Sequence, residues 1–574
     1  MAQFKWDSKD IEFNLFDCLQ TQNLPFGLTR EDQLNIFQEF ATFVQREIFP
    51  LRSTSDASGA KWTPEGVKTP QGFIESTRKF YDNGWFSLGF HESAGGTPVP
   101  RALSIACSSI ATGANISWYL YPMLARGAAN VIHLVGSSEQ KNTYLEPMVT
   151  GRFGGTMCLT EPGAGSDVGN LRSTATPLGG DRYSIQGTKI FITSGDNDIY
   201  ENIVHLVLAR TPGAPAGTKG LSLFIVPKYR MDSQRKITGS NDVVCAKIEE
   251  KMGLHGSATC ELVFGKNGNC EGWLIGKEFD GMKNMFIMMN EARLDCGVQG
   301  EAQTNLAYEM TLQYTKEREQ FGKVILEHPD VCKTMLKMRA MGRGMRALCL
   351  YTANLFDTTQ EDSEIGLLTP ICKAYTTDQA MLQTSEAVQM HGGYGFCSEY
   401  GIEQFMRDTK ISAIYEGTNG IQSVDFVTRK ILKDGGATLK KLQGKIGATL
   451  QEAQTKKLFS EELKTFSDAS RIFQNGLQQL AQWGAQSETS KVLLHTTELL
   501  RLAGHIVVSW RLLDHALLAQ DKLSQTSQSS QLAFYQSKII DFQVFVAYFL
   551  PDAYAIEKTL QMGSSFSPLV GTTW

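Results

Sequence analysis

The sequence lacks the features that define several classes of protein. Its 574 residues include only 11 cysteines, scattered from Cys18 to Cys397, with none in CxxC or other metal-ligand spacing. An odd, sparse set of this kind predicts no disulfide framework, no metal site and a reducing compartment. Long hydrophobic runs are missing as well. The longest, 542–550, is interrupted and stops at Pro551. A bilayer requires about 20 apolar residues, so no membrane-spanning helix is expected. The opening MAQFKWDSKDIEFNLF has no apolar core and no small-residue cleavage site, which predicts no secretory signal. Excess positive charge is also absent. The formal net charge is −5, so no nucleic-acid partner is expected, because duplex binding usually needs a basic domain. Together these absences predict a cytoplasmic protein.

What is present is an ordinary globular composition, 42% hydrophobic and 20% charged, which excludes widespread disorder. At about 150 residues per domain, three to four domains follow. Three textures succeed one another. Residues 1–155 read as mostly helical. Thr29 to Asp32 opens a segment with Leu34, Phe37, Phe40, Phe43 and Val44 on one face. A turn-rich stretch, 58–72, interrupts this zone, and helical signals return over 73–85 and 100–111. Trp85 and Trp118 read as core. Residues 156–275 read as short strands, among them 183–193, 202–209, 221–226, 243–250 and 259–264. Short strands without intervening helices predict an antiparallel barrel or sandwich rather than a parallel sheet. From about 280 the pattern is helical again. Met282 to Met289 reads as core filler, and the polar stretch 521–531 as an interhelical loop.

Four segments carry residues suited to chemistry. Met157-Cys158-Leu159-Thr160-Glu161-Pro162-Gly163-Ala164-Gly165-Ser166-Asp167 combines turn formers with hydroxyls, and its glycines permit close backbone approach to a ligand. Gln389-Met390-His391-Gly392-Gly393-Tyr394-Gly395 follows a helical stretch, so its glycines serve either a helix end or a phosphate-binding turn. Glu317 to Lys323 places Arg318 and Phe321 three residues apart at a helix end. There arginine suits a phosphate and phenylalanine a base. Ile414-Tyr415-Glu416-Gly417-Thr418 sets a carboxylate beside apolar and aromatic neighbours. Desolvation there would disfavour its charged form and suit it to general-base work. Taken singly, each segment also reads as an ordinary turn or helix terminus.

Taken together, in this order and at these separations, they resemble the acyl-CoA dehydrogenases, over about residues 35–435. The tail after 435 and the segments Gly195 to Asp198 and Lys251 to Gly256 are most similar to the long forms, which include 3-(methylthio)propanoyl-CoA dehydrogenases. The resemblance implies an α+β fold with five parts. These are an N-terminal extension (1–34), an N-terminal helical domain (35–155), a middle antiparallel β-barrel or sandwich (156–280), a C-terminal helical bundle (281–435) and an extra helical domain (436–574). It implies FAD bound between the β-domain and the bundle of a homodimer, or a dimer of dimers. Met157, Leu159, Thr160, Gly165, Ser166, Phe191, Ile192 and Thr193 would line the flavin, with Thr193 near its reactive nitrogen. Arg318, Gln320, Phe321, His328, Gln389, Gly392, Gly393 and Thr418 would complete cofactor binding, several of them across the subunit boundary.

Glu416 matches the family's catalytic base. It would remove the α-proton of an acyl-CoA thioester while the β-carbon gives hydride to the flavin, and an electron-transfer flavoprotein would take the electrons. Ser166, Asn290, Arg293, Tyr415 and Gly417 match substrate contacts. Some members carry the base immediately before a helix arginine. That arginine matches Arg293 and is preceded here by Ala292, which cannot act as a base, in keeping with the role the resemblance implies for Glu416. The chain departs from the common pattern at Asn290, Pro329 and Gly420. Rival readings are an acyl-CoA oxidase using O₂, a nucleic-acid-associated relative of the alkylation-response type, and a catalytically dead binding subunit. The last conflicts with an intact Glu416.

Overall fold

The computed structural model describes residues 4–359 and 362–571. The chain divides into two compact units: Met1–Asn35, Pro100–Gly113 and Arg293–Trp574 form one, and Ile36–Val99 with Ala114–Ala292 the other.

The first long helix, α1 (Arg30–Phe43), begins where the sequence predicts. Thr29 and Asp32 cap it reciprocally: the Asp32 amide donates to Thr29 Oγ1 at 3.2 Å and the Thr29 amide to Asp32 Oδ2 at 2.9 Å. The stretch 58–72 holds a small hairpin, Lys61–Thr63 with Gly66–Lys68, which turn chemistry alone did not reveal. The predicted helix over 100–111 is the start of a far longer one, α2 (Arg101–Val135). It breaks at Asn115 (φ −160°, ψ 89°). The Asn115 side chain accepts from the Trp118 amide at 3.2 Å and so caps the second half.

The middle of the second unit is an eight-stranded sheet. Its strands are β1 (Phe153–Cys158), β2 (Thr174–Gly179), β3 (Arg182–Thr193), β4 (Asn202–Arg210), β5 (Leu221–Pro227), β6 (Val243–Ile248), β7 (Thr259–Phe264) and β8 (Glu271–Leu274). The order is β6-β7-β3-β8-β5-β4-β1, with β2 beside β3 and β4. The expectation of an antiparallel sheet needs correction, since β1 and β4 pair in parallel from Phe153/Asn202 to Cys158/Val207 and β2 meets β4 in parallel at Thr174/Arg210. The chain returns to the β1 edge only after crossing β2 and β3, a path that period-2 patterning does not encode. Ile185, Val207, Phe224, Leu262 and Phe264 fill the core and are nearly inaccessible. Strand β3 serves three partners, pairing at one end with β2 and β8 and at the other with β7. It turns between them at Gly187 (φ +154°), where a Cβ would stand 2.2 Å from Ser173 Oγ.

The other unit is helical: α3 (Gly281–Glu317, which enters it at Arg293), α4 (Pro329–Thr358), α5 (Asp362–Met390), α6 (Asn419–Val424), α7 (Ala437–Thr455), α8 (Ser460–Ala485), α9 (Thr496–Leu523), α10 (Ser529–Tyr548) and α11 (Asp552–Gly563). Helices run well into the predicted loop 521–531 from both sides. Residues Ser529–Leu569 are long and apolar enough to cross a membrane by composition alone, contrary to expectation. The segment is broken at Pro551 into α10 and α11, and it carries Lys538 and Asp541, both fully buried and paired.

Those two residues belong to a buried ionic network. Asp10, in the short helix Ser8–Glu12, meets Lys538 of α10 and Arg346 of α4 (2.7 Å). Arg343 joins Asp7 (2.6 Å) and Asp541 (2.7 Å), and Arg339 also reaches Asp541 (2.6 Å). The N-terminal segment, the central bundle and the extra helical region are thereby tied through charge as well as packing.

Candidate active site

Glu416 lies in a tight loop that leads into α6. Glu416 and Gly417 both adopt left-handed backbone (φ 57° and 84°). For a non-glycine residue this costs about 1–3 kcal/mol and persists only when its surroundings enforce it. Here Gln422 of α6, fully buried, does so: its Nε2 donates to the carbonyl of Glu416 at 3.1 Å. A Cβ at position 417 would stand 2.7 Å from that same nitrogen, which explains the glycine. Thr418 caps α6, its Oγ1 accepting from the Ile421 amide at 3.3 Å. Tyr415 donates its hydroxyl to Gln299 of α3. Asn419 accepts from the buried Lys373 ammonium of α5 at 2.7 Å.

The electrostatics favour a base poised near neutrality. Burial pushes the Glu416 carboxyl up to about 7, while Arg293 and Lys373 oppose the rise and Asp295 adds to it. A carboxylate tuned this way matches the requirement of general-base catalysis at neutral pH.

A second cluster in the same unit gathers Arg318, Gln320, Phe321, His328, Gln389, Gly392 and Gly393. Arg318 follows α3, and a hairpin, Glu319–Gln320 with Lys323–Val324, presents Phe321 at 95% exposure. His328 Nε2 lies 3.2 Å from the carbonyl of Gln320. Arg318 stacks over Tyr394 at 5.7 Å, which joins the hairpin to the Gly392–Phe396 turn after α5. Gln389, Gly392 and Gly393 are exposed, and the two glycines have open space where a Cβ would stand.

In the other unit, the segment after β1 lies beside the end of β3. Ile190 donates its amide to the Thr160 carbonyl at 2.9 Å. Glu161, which sequence reasoning passed over, is the anchor of this arrangement. Its carboxylate accepts from the Arg172 amide (2.6 Å), the Ser173 amide (3.0 Å), the Ser173 hydroxyl (2.6 Å) and Lys189 Nζ (2.8 Å). Lys189, fully buried, also donates to the Leu159 carbonyl at 3.1 Å. Burial would raise the Glu161 carboxyl, but Lys189 and these donors outweigh it and hold it below the usual range. The only hint in the sequence is a lysine inside a strand pattern. Gly163, Gly165 and Ser166 are exposed beyond this anchor, and the space around both glycines is open. Met157 sits on β1 and is partly exposed, Leu159 is buried, and Ile192 and Thr193 close β3. Phe191 stands 60% exposed at φ 58°. Asn290 is exposed on α3. Among the described residues, no group of three or more His, Cys, Asp or Glu could hold a metal ion.

Four family models match the chain: acyl-CoA dehydrogenase N-terminal domain (residues 30–152), middle domain (156–266) and C-terminal domain (280–432), and an acetyl-CoA dehydrogenase C-terminal-like domain (442–566). The chain belongs to the acyl-CoA dehydrogenase family, a family of FAD-dependent oxidoreductases. It is 36% identical to 3-methylmercaptopropionyl-CoA dehydrogenase of Ruegeria pomeroyi, covering 94% of this chain and 93% of that one. It is 34% identical to the broad-specificity linear acyl-CoA dehydrogenase FadE5 of Mycobacterium tuberculosis, covering 96% of each. Among solved structures, an acyl-CoA dehydrogenase of Bacillus anthracis complexed with FAD shares the fold at TM-score 0.76 and 22% identity, over 95% of this chain and 90% of that one. A chain from the structure of the electron transferring flavoprotein of Acidaminococcus fermentans superposes at TM-score 0.60 and 30% identity, over 70% of this chain and 97% of that one.

Proposed function

We propose that the chain oxidises an acyl-CoA thioester to the trans-2-enoyl-CoA, with Glu416 as the base, and passes the electrons to an electron-transfer flavoprotein. The observation that carries this reading is a carboxylate held by its surroundings near pKa 7 in a constrained loop. Two sets of residues suit FAD. One is the segment Met157 to Ser166 with Phe191, Ile192 and Thr193. The other is Arg318, Gln320, Phe321, His328, Gln389, Gly392, Gly393 and Thr418. Open space at Gly163, Gly165, Gly392 and Gly393 lets backbone amides approach a phosphate or ring closely. When bound, the flavin supplies the acceptor for the β-hydride.

The chain's own part is acid–base and orienting work. The α-proton of a thioester is weakly acidic, so the carboxylate must be unprotonated and fixed in place. Gln422 and Lys373 with Asn419 fix the loop from two sides. Family resemblance assigns stabilisation of the thioester oxygen to the backbone amide of Glu416, an oxyanion-type contribution. Ser166, Asn290, Arg293, Tyr415 and Gly417 are proposed to meet the substrate. Because the base works unprotonated and its carboxyl sits near 7, kcat/KM should fall about tenfold per pH unit below roughly pH 7 and level off above it. A profile flat from pH 5 to 8 would contradict this assignment of the base.

The names of the relatives support two substrate classes to try, linear acyl groups and 3-(methylthio)propanoyl. A panel of both classes, scored by flavin bleaching, decides between them. Peroxide formation when the reduced enzyme meets O₂ would favour an oxidase instead. We also propose a homodimer. Phe321 and Phe396 are 95% and 86% exposed, an apolar display that a second copy would cover. Sedimentation of the holoenzyme tests it, a monomer contradicting it. The 11 unpaired cysteines support a cytoplasmic setting.

Glu161→Ala should detach the 159–166 segment from β3 and strand the Lys189 ammonium in the core. The expected result is a loss of about 3–5 kcal/mol in stability and a falling flavin-to-protein absorbance ratio. Retention of both would show that the segment does not depend on this pair.

A further inference from the structure

We propose that Thr496, at the start of the extra helical region, is a positioning residue for the base: through Ser423 its hydroxyl holds α6, and with α6 the Glu416 loop, against α9. The inference rests on the reading of Glu416 as the base.

Helix α6 is too short to hold its own place. It has six residues, and helices below about 12–15 residues depend on tertiary packing for their stability. Yet it carries Gln422, whose Nε2 donates to the Glu416 carbonyl at 3.1 Å. A shift of α6 is therefore a shift of the base. Two long helices pack on α6. One is α5. The other is α9, which belongs to the helical region after residue 435. The extra region thus reaches the support of the base directly.

The contact between α6 and α9 includes a buried pair of hydroxyls. Ser423 Oγ and Thr496 Oγ1 lie 3.0 Å apart, and both residues are buried. Ser423 donates its proton to the Gly420 carbonyl at 2.7 Å, so within the pair it accepts from Thr496. The other acceptor near Thr496, the Leu493 carbonyl, is farther away at 3.4 Å. A chain of hydrogen bonds thereby runs from α9 through Ser423 to the backbone of α6. A valine at 496 would fill similar space, so packing alone does not call for the hydroxyl. The hydroxyl adds direction, because a hydrogen bond fixes distance and angle where an apolar contact does not.

Helix α9 is itself fastened to α5. Gly504 of α9 meets Tyr375 of α5 so closely that a Cβ would stand 2.2 Å from the ring. The next residue, His505, has Nδ1 2.9 Å from the Tyr375 hydroxyl and Nε2 3.3 Å from Asp552 of α11. Asp552 also pairs with Arg501 of α9 at 2.8 Å. Helix α5 in turn receives Asn419 of α6, whose Nδ2 donates to the Ala374 carbonyl (3.2 Å) and Thr377 Oγ1 (2.9 Å). The three helices close a ring: α9 to α5 through His505, α5 to α6 through Asn419, and α6 to α9 through Ser423. Thr496 supplies the last of these links. Cutting it leaves α6 less constrained, and a misplacement of about 1 Å remote from the chemistry can cost about 10²-fold in rate. Thr496 is buried and bonds α6 rather than an open surface, so the loss falls on the chemical step.

The test is anaerobic reduction of the holoenzyme flavin on rapid mixing with butyryl-CoA and with 3-(methylthio)propanoyl-CoA. In Thr496→Val the limiting rate should fall about tenfold, with FAD retained and the half-saturating acyl-CoA concentration unchanged. Thr496→Ser keeps the hydroxyl and should restore the wild-type rate. Ser423→Ala cuts the same bond from the other side, and it decides the matter if Thr496→Val does not fold. The double variant Ser423→Ala/Thr496→Val should lose no more than either single change, because both remove one interaction. Phe466→Leu, at a buried position of α8 outside the ring, serves as the control: it should lower stability and leave the limiting rate in place. Wild-type rates in both Thr496→Val and Ser423→Ala would overturn the proposal. So would a Thr496→Ser as slow as Thr496→Val, or an equal loss in Phe466→Leu. Glu416→Gln separates the two levels. If it is inactive while the Thr496 and Ser423 variants keep their rates, only the role of Thr496 fails. If it is active, the base assignment fails, and this inference with it.

Discussion

Glu416→Gln is expected to lower the rate of flavin reduction by about 10²- to 10⁴-fold, the range of a positioned general base, while FAD remains bound. Glutamine has the same shape, and the loop is held through backbone rather than through the carboxyl. Gln422 bonds the Glu416 carbonyl, and Thr418 caps α6. The substitution therefore removes proton-accepting power without releasing the loop. Rapid mixing with an acyl-CoA under anaerobic conditions separates the two effects, since the flavin spectrum reports occupancy and its bleaching reports chemistry. A variant within tenfold of wild type would remove Glu416 from the mechanism.

The second large effect is on stability. Asp10→Asn should destabilise the fold by about 3–5 kcal/mol, the cost of leaving buried charge unpaired. Burial alone would raise the Asp10 carboxyl, but Lys538, Arg346 and Arg343 outweigh it and hold it well below the usual carboxylate range. A depressed carboxyl contributes stability that is present at neutral pH and lost as pH falls below the ordinary carboxylate range. Wild type should thus lose stability in acid, and Asp10→Asn should show a weaker dependence there. Replacing Asp10, Lys538 and Arg346 together with apolar residues of similar size should cost less than the single change. Denaturant titration of the three proteins checks this order. A single variant as stable as wild type would show the network to be idle.

The elements were legible where pattern and capping coincide. Thr29 and Asp32 announce α1, and the alternation in 182–193 announces β3. The parallel pairing of β1 with β4 was not, because strand partners depend on the path of the chain rather than on local period. The site divides in the same way. Glu416, Gly417 and Thr418 form one short motif that can be recognised as a unit. Their supports are dispersed: Gln422 reads as an ordinary helix polar residue, Lys373 lies 43 positions before Glu416, and Glu161 finds Lys189 across two strands. Asp10 meets Lys538 across nearly the whole chain. Burial gives these polar residues their importance, and burial at long sequence separation leaves no periodic trace.

The most direct test of the account is an anaerobic titration of the purified holoenzyme with butyryl-CoA and 3-(methylthio)propanoyl-CoA. The flavin band should bleach with at least one of them, in proportion to the enoyl-CoA formed, and the bleached enzyme should recover colour on adding an electron-transfer flavoprotein. An unchanged flavin spectrum with every acyl-CoA of both classes, or a purified protein that holds no flavin, would contradict it.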